Sequence, residues 1–140
     1  MTIDRIFLDA NIFFSIAYGS PGLNRLAEFA KRKYCALFGS EYVIKEARRN
    51  LFQREQLRRL EAFLTQVQIA PEVDPRMPGP ILLPEKDKPV FLAAISIKAD
   101  FLLTGDTIHF GKYFGQTVSG VTIYRPRDYM NLLQRRTKTK

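Results

Sequence analysis

Asp9, Glu46, Asp87 and Asp106 are the residues whose type and placement point to chemistry. Asp9 directly follows the apolar run Ile6-Phe7-Leu8, and Asp106 follows Phe101-Leu-Leu-Thr104 with only Gly105 between. Asp87 opens the segment Lys88-Pro89-Val90, where proline suits the first turn of a helix. Glu46 lies on the helical row Val43, Glu46, Asn50, beside an apolar stripe. Carboxylates gathered at one crevice repel one another unless a divalent cation neutralises them, and an oxygen-only donor set suits Mg²⁺ or Mn²⁺. Such an ion lowers the pKa of a water and stabilises charge on a phosphate under in-line attack, which is the chemistry of phosphodiester hydrolysis. Asp9, Asp87 and Asp106 would hold it directly or through water, with Glu46 completing the ring. Asn11 and Thr104 are spaced to hydrogen-bond the carboxylates and fix their orientation. Each of these residues also has a plainer use. Aspartate before a helix caps free N–H groups, and a lone helical glutamate usually faces water. Asn after Asp is common turn chemistry, and Thr is a common strand residue.

For the four acids to meet, the segments around them must bring several strand ends to one edge. Residues 3–8, 35–38, 67–70, 101–104 and 121–124 read as short strands. The unbroken run Ile6-Phe7-Leu8 fits a strand buried on both faces, as in a parallel sheet covered by helices. Helical spacing marks residues 12–17, 23–34 and 41–52, continues over 53–65, and returns at 91–98 and 128–133. Ser40 is placed to cap the third of these helices. Residues 71–84 hold five prolines and one glycine and read as a loop. Strands alternating with helices give an α/β domain over residues 1–134, followed by a basic tail over 135–140. In such sheets ligands bind beyond the C-terminal strand ends where the strand order reverses. Strands one and four flank that point if the order is 3-2-1-4-5.

Charge adds a direction. The 140 residues carry 22 Lys+Arg against 14 Asp+Glu, a net charge of +8, which fits a polyanionic partner. The basic residues cluster at Lys31-Arg-Lys33, Arg48-Arg49, Arg58-Arg59 and the tail, with no base-reading module among them. Arg48 and Arg49 adjoin Glu46 and are the first candidates for holding a substrate phosphate. Tyr18, Tyr42, Tyr113 and Tyr124 offer rings to unpaired bases, or to packing. With one cysteine, Cys35, there is no internal disulfide, and core packing is its expected role. No apolar stretch approaches the roughly 20 residues that span a bilayer, and the N-terminus lacks a signal pattern, so a cytoplasmic location and no membrane partner are expected. No GxxxxGK[ST], GxGxxG or GxSxG element occurs, and one Cys with one His is a poor zinc set. His109, beside Phe110, reads as a partly buried structural histidine. A phosphotransfer receiver would want an Asp after the third strand and a Lys after the fifth, where Ala70-Pro71 and Tyr124-Arg125 stand.

At these residues the chain resembles the PIN domain family, the metal-dependent nucleases that include VapC-type toxins. Arg5-Ile-Phe-Leu-Asp9-Ala-Asn11 is similar to the family's opening strand with its D-x-N element, and Ser40 to Leu51 to its second motif, with Glu46 as the acid. Lys86-Asp87-Lys-Pro-Val-Phe-Leu-Ala-Ala94 resembles the third, and Ala99-Asp-Phe-Leu-Leu-Thr104-Gly-Asp106 the fourth, a strand ending in T-x-D. The resemblance implies a three-layer α/β/α sandwich with a five-stranded parallel sheet in order 3-2-1-4-5, and a homodimer. It implies cleavage of single-stranded RNA with Mg²⁺ or Mn²⁺, leaving a 5′-phosphate and a 3′-hydroxyl, and a toxin partnered by an antitoxin protein. A non-catalytic RNA-binding domain of the same fold is the alternative, and it would tolerate loss of the carboxylates. One position departs from the pattern: many members carry a further acid where this chain has His109, so Asp106 is the only acid at that corner.

Overall fold

The computed structural model describes residues 3–74 and 76–138. Ile6, Phe7 and Leu8 lie in β1 (Asp4–Leu8) with no exposed surface. Successive strand side chains point to opposite faces, so a strand buried throughout is covered on both. The chain continues through α1 (Ala10–Ala17), α2 (Pro21–Lys31), β2 (Cys35–Gly39), α3 (Glu41–Arg49), α4 (Arg54–Leu64) and β3 (Val67–Ile69). After a long loop come α5 (Lys88–Ser96), β4 (Phe101–Leu103), α6 (Thr107–Phe110) and a 3₁₀ turn at Gly111–Tyr113. β5 (Thr117–Val118), β6 (Val121–Tyr124) and α7 (Pro126–Lys138) complete it. Among the described residues no helix is long and apolar enough to cross a membrane.

The sheet order is β3-β2-β1-β4-β6-β5. Its first five strands pair in parallel, which is the expected 3-2-1-4-5 arrangement with β6 as the fifth strand. The sheet is nevertheless mixed and six-stranded, because β5 adds an antiparallel edge to β6. Ser119 and Gly120 make that hairpin possible, both at positive φ (52° and 83°). Two such residues in a two-residue loop match the twist of the flanking strands. A strand of two residues carries no periodicity to read from sequence. Parallel crossovers are right-handed, so the leftward connections from β1 to β3 carry their helices on one face and the rightward connections carry theirs on the other. The chain therefore leaves β1 in one direction and returns beside it as β4. A crevice opens at the C-terminal ends of those two strands.

The helix boundaries have local causes. Ser40 caps α3, its Oγ accepting from the Val43 amide at 3.3 Å, and Ser20 caps α2 ahead of Pro21. The expected continuous helical pattern over residues 41–65 is split between Asn50 and Gln53, where Leu51 turns into the core at 5% exposure. α7 runs further than the expected 128–133. Asp128 accepts from the Arg125 amide before its first turn, and Arg136 near its end pairs with Asp4. Gln, Arg and Lys are good helix formers, so the basic stretch from Arg135 extends the helix through Lys138. Residues 139 and 140 of the expected tail, and residues 1 and 2, lie outside the described residues. Cys35 is buried as expected, and that burial, with Asp4 nearby, pushes its thiol up to about 12.

Gly39 ends β2 against the aromatic pair Phe13 and Phe63, whose rings meet edge to face at 6.1 Å. A Cβ at Gly39 would lie 2.9 Å from Phe13 Cζ, and Phe13 is fully buried with nowhere to move. Gly39→Ala is therefore expected to lower stability by about 1–3 kcal/mol. Urea unfolding checks this: the midpoint falls while the slope stays unchanged.

Candidate metal centre

The crevice at the ends of β1 and β4 is a cavity of about 550 Å³. Asp9, Ala10 and Asn11 line it where β1 passes into α1, and Gly105 and Asp106 line it where β4 passes into α6. Glu46, Ala47 and Asn50 of α3 form another wall, and Lys86 and Asp87 enter at the start of α5. The β1–β4 ladder carries up to the acid itself, since the Asp9 amide donates to Leu103 O at 3.1 Å.

Two of the aspartates combine capping with other work. Asp9 Oδ1 caps α1 by accepting from the Ala10 amide at 2.7 Å. Its Oδ2 accepts from the Thr104 hydroxyl at 2.9 Å and from Asn11 Nδ2 at 3.3 Å. Asn11 Oδ1 in turn accepts from the Gly105 amide at 2.8 Å, and Thr104 Oγ1 from the Asp106 amide at 3.1 Å. Asp106 Oδ1 caps α6, accepting from the Ile108 and His109 amides, while its Oδ2 lies 2.8 Å from His109 Nδ1. Asp87 differs: its side chain makes no capping bond. Asp87 Oδ2 is buried and lies 2.9 Å from His109 Nδ1, yet without hydrogen-bond geometry to any partner. A ring nitrogen carries at most one proton, so Nδ1 can donate to only one of the two carboxylates.

The electrostatics follow from burial. Asp9, 4% exposed, has its carboxyl pushed up to about 6. Desolvation drives that rise; the Thr104 and Ala10 hydrogen bonds oppose it, and the charges of Asp87 and Glu46 add to it. Asp87 is also raised, first by burial and then by Asp106 and Glu46, with His109 and Lys86 opposing. Tyr42 on α3 is raised by burial and by Glu46, Asp87 and Asp9, and its hydroxyl donates to Lys86 O at 2.7 Å, holding the approach to α5. Every one of these effects would be relieved by positive charge in the cavity. The donor atoms of Asp87, Asp106 and His109 lie within 4.8 Å of one another, and Asp87 Oδ2 makes no hydrogen bond, so the residues fit a divalent cation.

All four sequence-selected acids thus line one cavity, with Asn11 and Thr104 bonded to Asp9. The tightest group is Asp87, Asp106 and His109; Asp9 and Glu46 face it from other walls. Arg48 and Arg49 do not line the cavity. Glu61 of α4 holds the Arg48 guanidinium at 2.7 and 3.0 Å and so directs it along the helix pair. Lys86 is the cation in the cavity wall, and its adjacency to Asp87 was the available signal. The family resemblance sets His109 where an acid often stands, but its contact with Asp87 was not legible, because α6 is only four residues long, too short to show a helical period. The Asp106–His109 spacing of three is the trace it leaves.

No protein-family model matches the sequence, and no curated protein matches it. Among solved structures the chain is similar to one in the crystal structure of VapBC2 from Rickettsia felis bound to a DNA fragment from their promoter. The match has a TM-score of 0.57 and 16% sequence identity, and covers 86% of this chain and 98% of that one. At that identity the likeness is one of fold alone.

Proposed function

We propose that the chain is a divalent-metal-dependent endoribonuclease that hydrolyses phosphodiester bonds in single-stranded RNA, the toxin of a pair whose antitoxin protein restrains it. The observation that carries this reading is the buried, unpartnered Asp87 Oδ2 among Asp9, Glu46, Asp106 and His109, at the strand-order switch of a VapC-like fold. Burying acids this way works against folding unless something binds there. Asp9, Asp87 and Asp106 would hold the ion, with Glu46 facing them from α3. Mg²⁺ or Mn²⁺ in that position would supply Lewis acidity for water activation and for neutralising charge on the phosphate. Thr104 and Asn11 keep Asp9 Oδ2 in one orientation. Lys86 meets the incoming phosphate from the cavity wall, and the net charge of +8 gathers the polyanion. The antitoxin partner is supported by the setting of the structural neighbour, itself a VapBC2 assembly.

The assay is cleavage of labelled single-stranded RNA with Mn²⁺ or Mg²⁺ and with EDTA. Cleavage that persists equally in EDTA and in Asp9→Asn would overturn the reading. Thr104→Val is expected to cost about 10–100-fold in activity, read from the same cleavage rates.

Stability supplies a second, independent test. The folded-state pKa of Asp9 is raised from 3.8 to about 6, so the folded protein binds this proton more tightly than the unfolded chain. Stability therefore falls as pH rises through that interval, and above it the buried charge costs up to about 3 kcal/mol. In ion-free protein at neutral pH, Asp9→Asn should melt higher than the wild type, and once Mn²⁺ is added the wild type should cleave and Asp9→Asn should not. The gap in melting temperature should close as the pH falls towards the ordinary carboxylate range.

A further inference from the structure

We propose that His109 is itself a ligand of the cation and gives this centre a nitrogen donor that favours Mn²⁺ over Mg²⁺; the proposal rests on the cation-dependent reading above. His109 Nδ1 lies 2.8 Å from Asp106 Oδ2 and 2.9 Å from Asp87 Oδ2. Two donors held at right angles about 2.1 Å from one ion are about 3.0 Å apart, so both separations are those of neighbouring ligands. A proton on Nδ1 serves only one of the two oxygens and leaves Asp87 Oδ2, on a residue 7% exposed, with no hydrogen bond. A single cation engages all three atoms. The plainer use of His109, a helix-turn pair with Asp106, leaves Asp87 Oδ2 with an ion-pair contact at 2.9 Å but no hydrogen bond.

The ring is also held in place rather than swung in. Its backbone amide donates to Asp106 Oδ1 at 3.0 Å, the next residue, Phe110, is fully buried, and the His109 side chain is 26% exposed. The ligand is thus presented by the same short helix that Asp106 caps. Chemistry then sets the preference. Mg²⁺ demands hard oxygen donors and keeps its waters, whereas first-row transition ions accept imidazole beside carboxylate. An acid at this position would leave an all-oxygen site suited to Mg²⁺.

His109 is the sole histidine of the chain, which makes the test direct. Untagged, ion-free full-length protein is loaded with Mn²⁺ alone and read by electron spin resonance. Spin-echo modulation is expected to show an imidazole ¹⁴N coupling in the wild type that disappears in His109→Asp and His109→Gln. Competition of Mg²⁺ against bound Mn²⁺ should show the Mn²⁺ preference reduced about tenfold or more in His109→Asp. Wild-type protein that binds Mn²⁺ with no imidazole coupling overturns the proposal while leaving the cation-dependent reading intact. Wild-type protein that takes up no Mn²⁺ overturns both. Should either variant fail to fold, as judged by circular dichroism, the wild-type coupling alone decides.

Discussion

The hydrogen bond from Thr104 to Asp9 Oδ2 joins the ends of β1 and β4, the two strands between which the chain reverses its order. The rest of the site depends on it. Thr104 is fully buried and its hydroxyl also accepts from the Asp106 amide, so one side chain positions the acids that follow both strands. Asn11 completes the clasp by bonding Asp9 and the Gly105 amide together.

The same constraint lets a capping carboxylate make a second contact. A carboxylate has two oxygens. In Asp9 and Asp106 one oxygen caps a helix, which anchors the group and leaves the other to work elsewhere. Only Asp87, at a helix start without a capping bond, is held by its backbone and left with an unpartnered oxygen. The fold bears the cost of concentrating negative charge in a buried place, a cost that has no structural purpose by itself. Proteins keep such arrangements where a ligand repays them.

Much of this was legible in the residues. The strand Ile6-Phe7-Leu8, the acids placed just beyond strand ends and the helix-starting Asp87-Lys-Pro each carry a local signal, because burial on two faces, capping and proline geometry act over a few residues. β5 was not legible: two residues show no alternation, and its hairpin depends on positive φ at Ser119 and Gly120. Arg48 was not legible either, since its sequence neighbour Glu46 offered a plausible setting while its actual partner, Glu61, lies on the next helix.

By itself, the sequence determined the five parallel strands, the longer helices between them and the set of carboxylates that could share a crevice, because these follow from periodicity and from residue type. Tertiary structure decided which atoms meet. His109 reaches Asp87 because α5 and α6 both start at one edge of the sheet, and Tyr42 of α3 donates to the carbonyl of Lys86 in the cavity wall. Such contacts join segments far apart in the chain, and they are set by helix entry, packing and side-chain rotamers that no local pattern encodes.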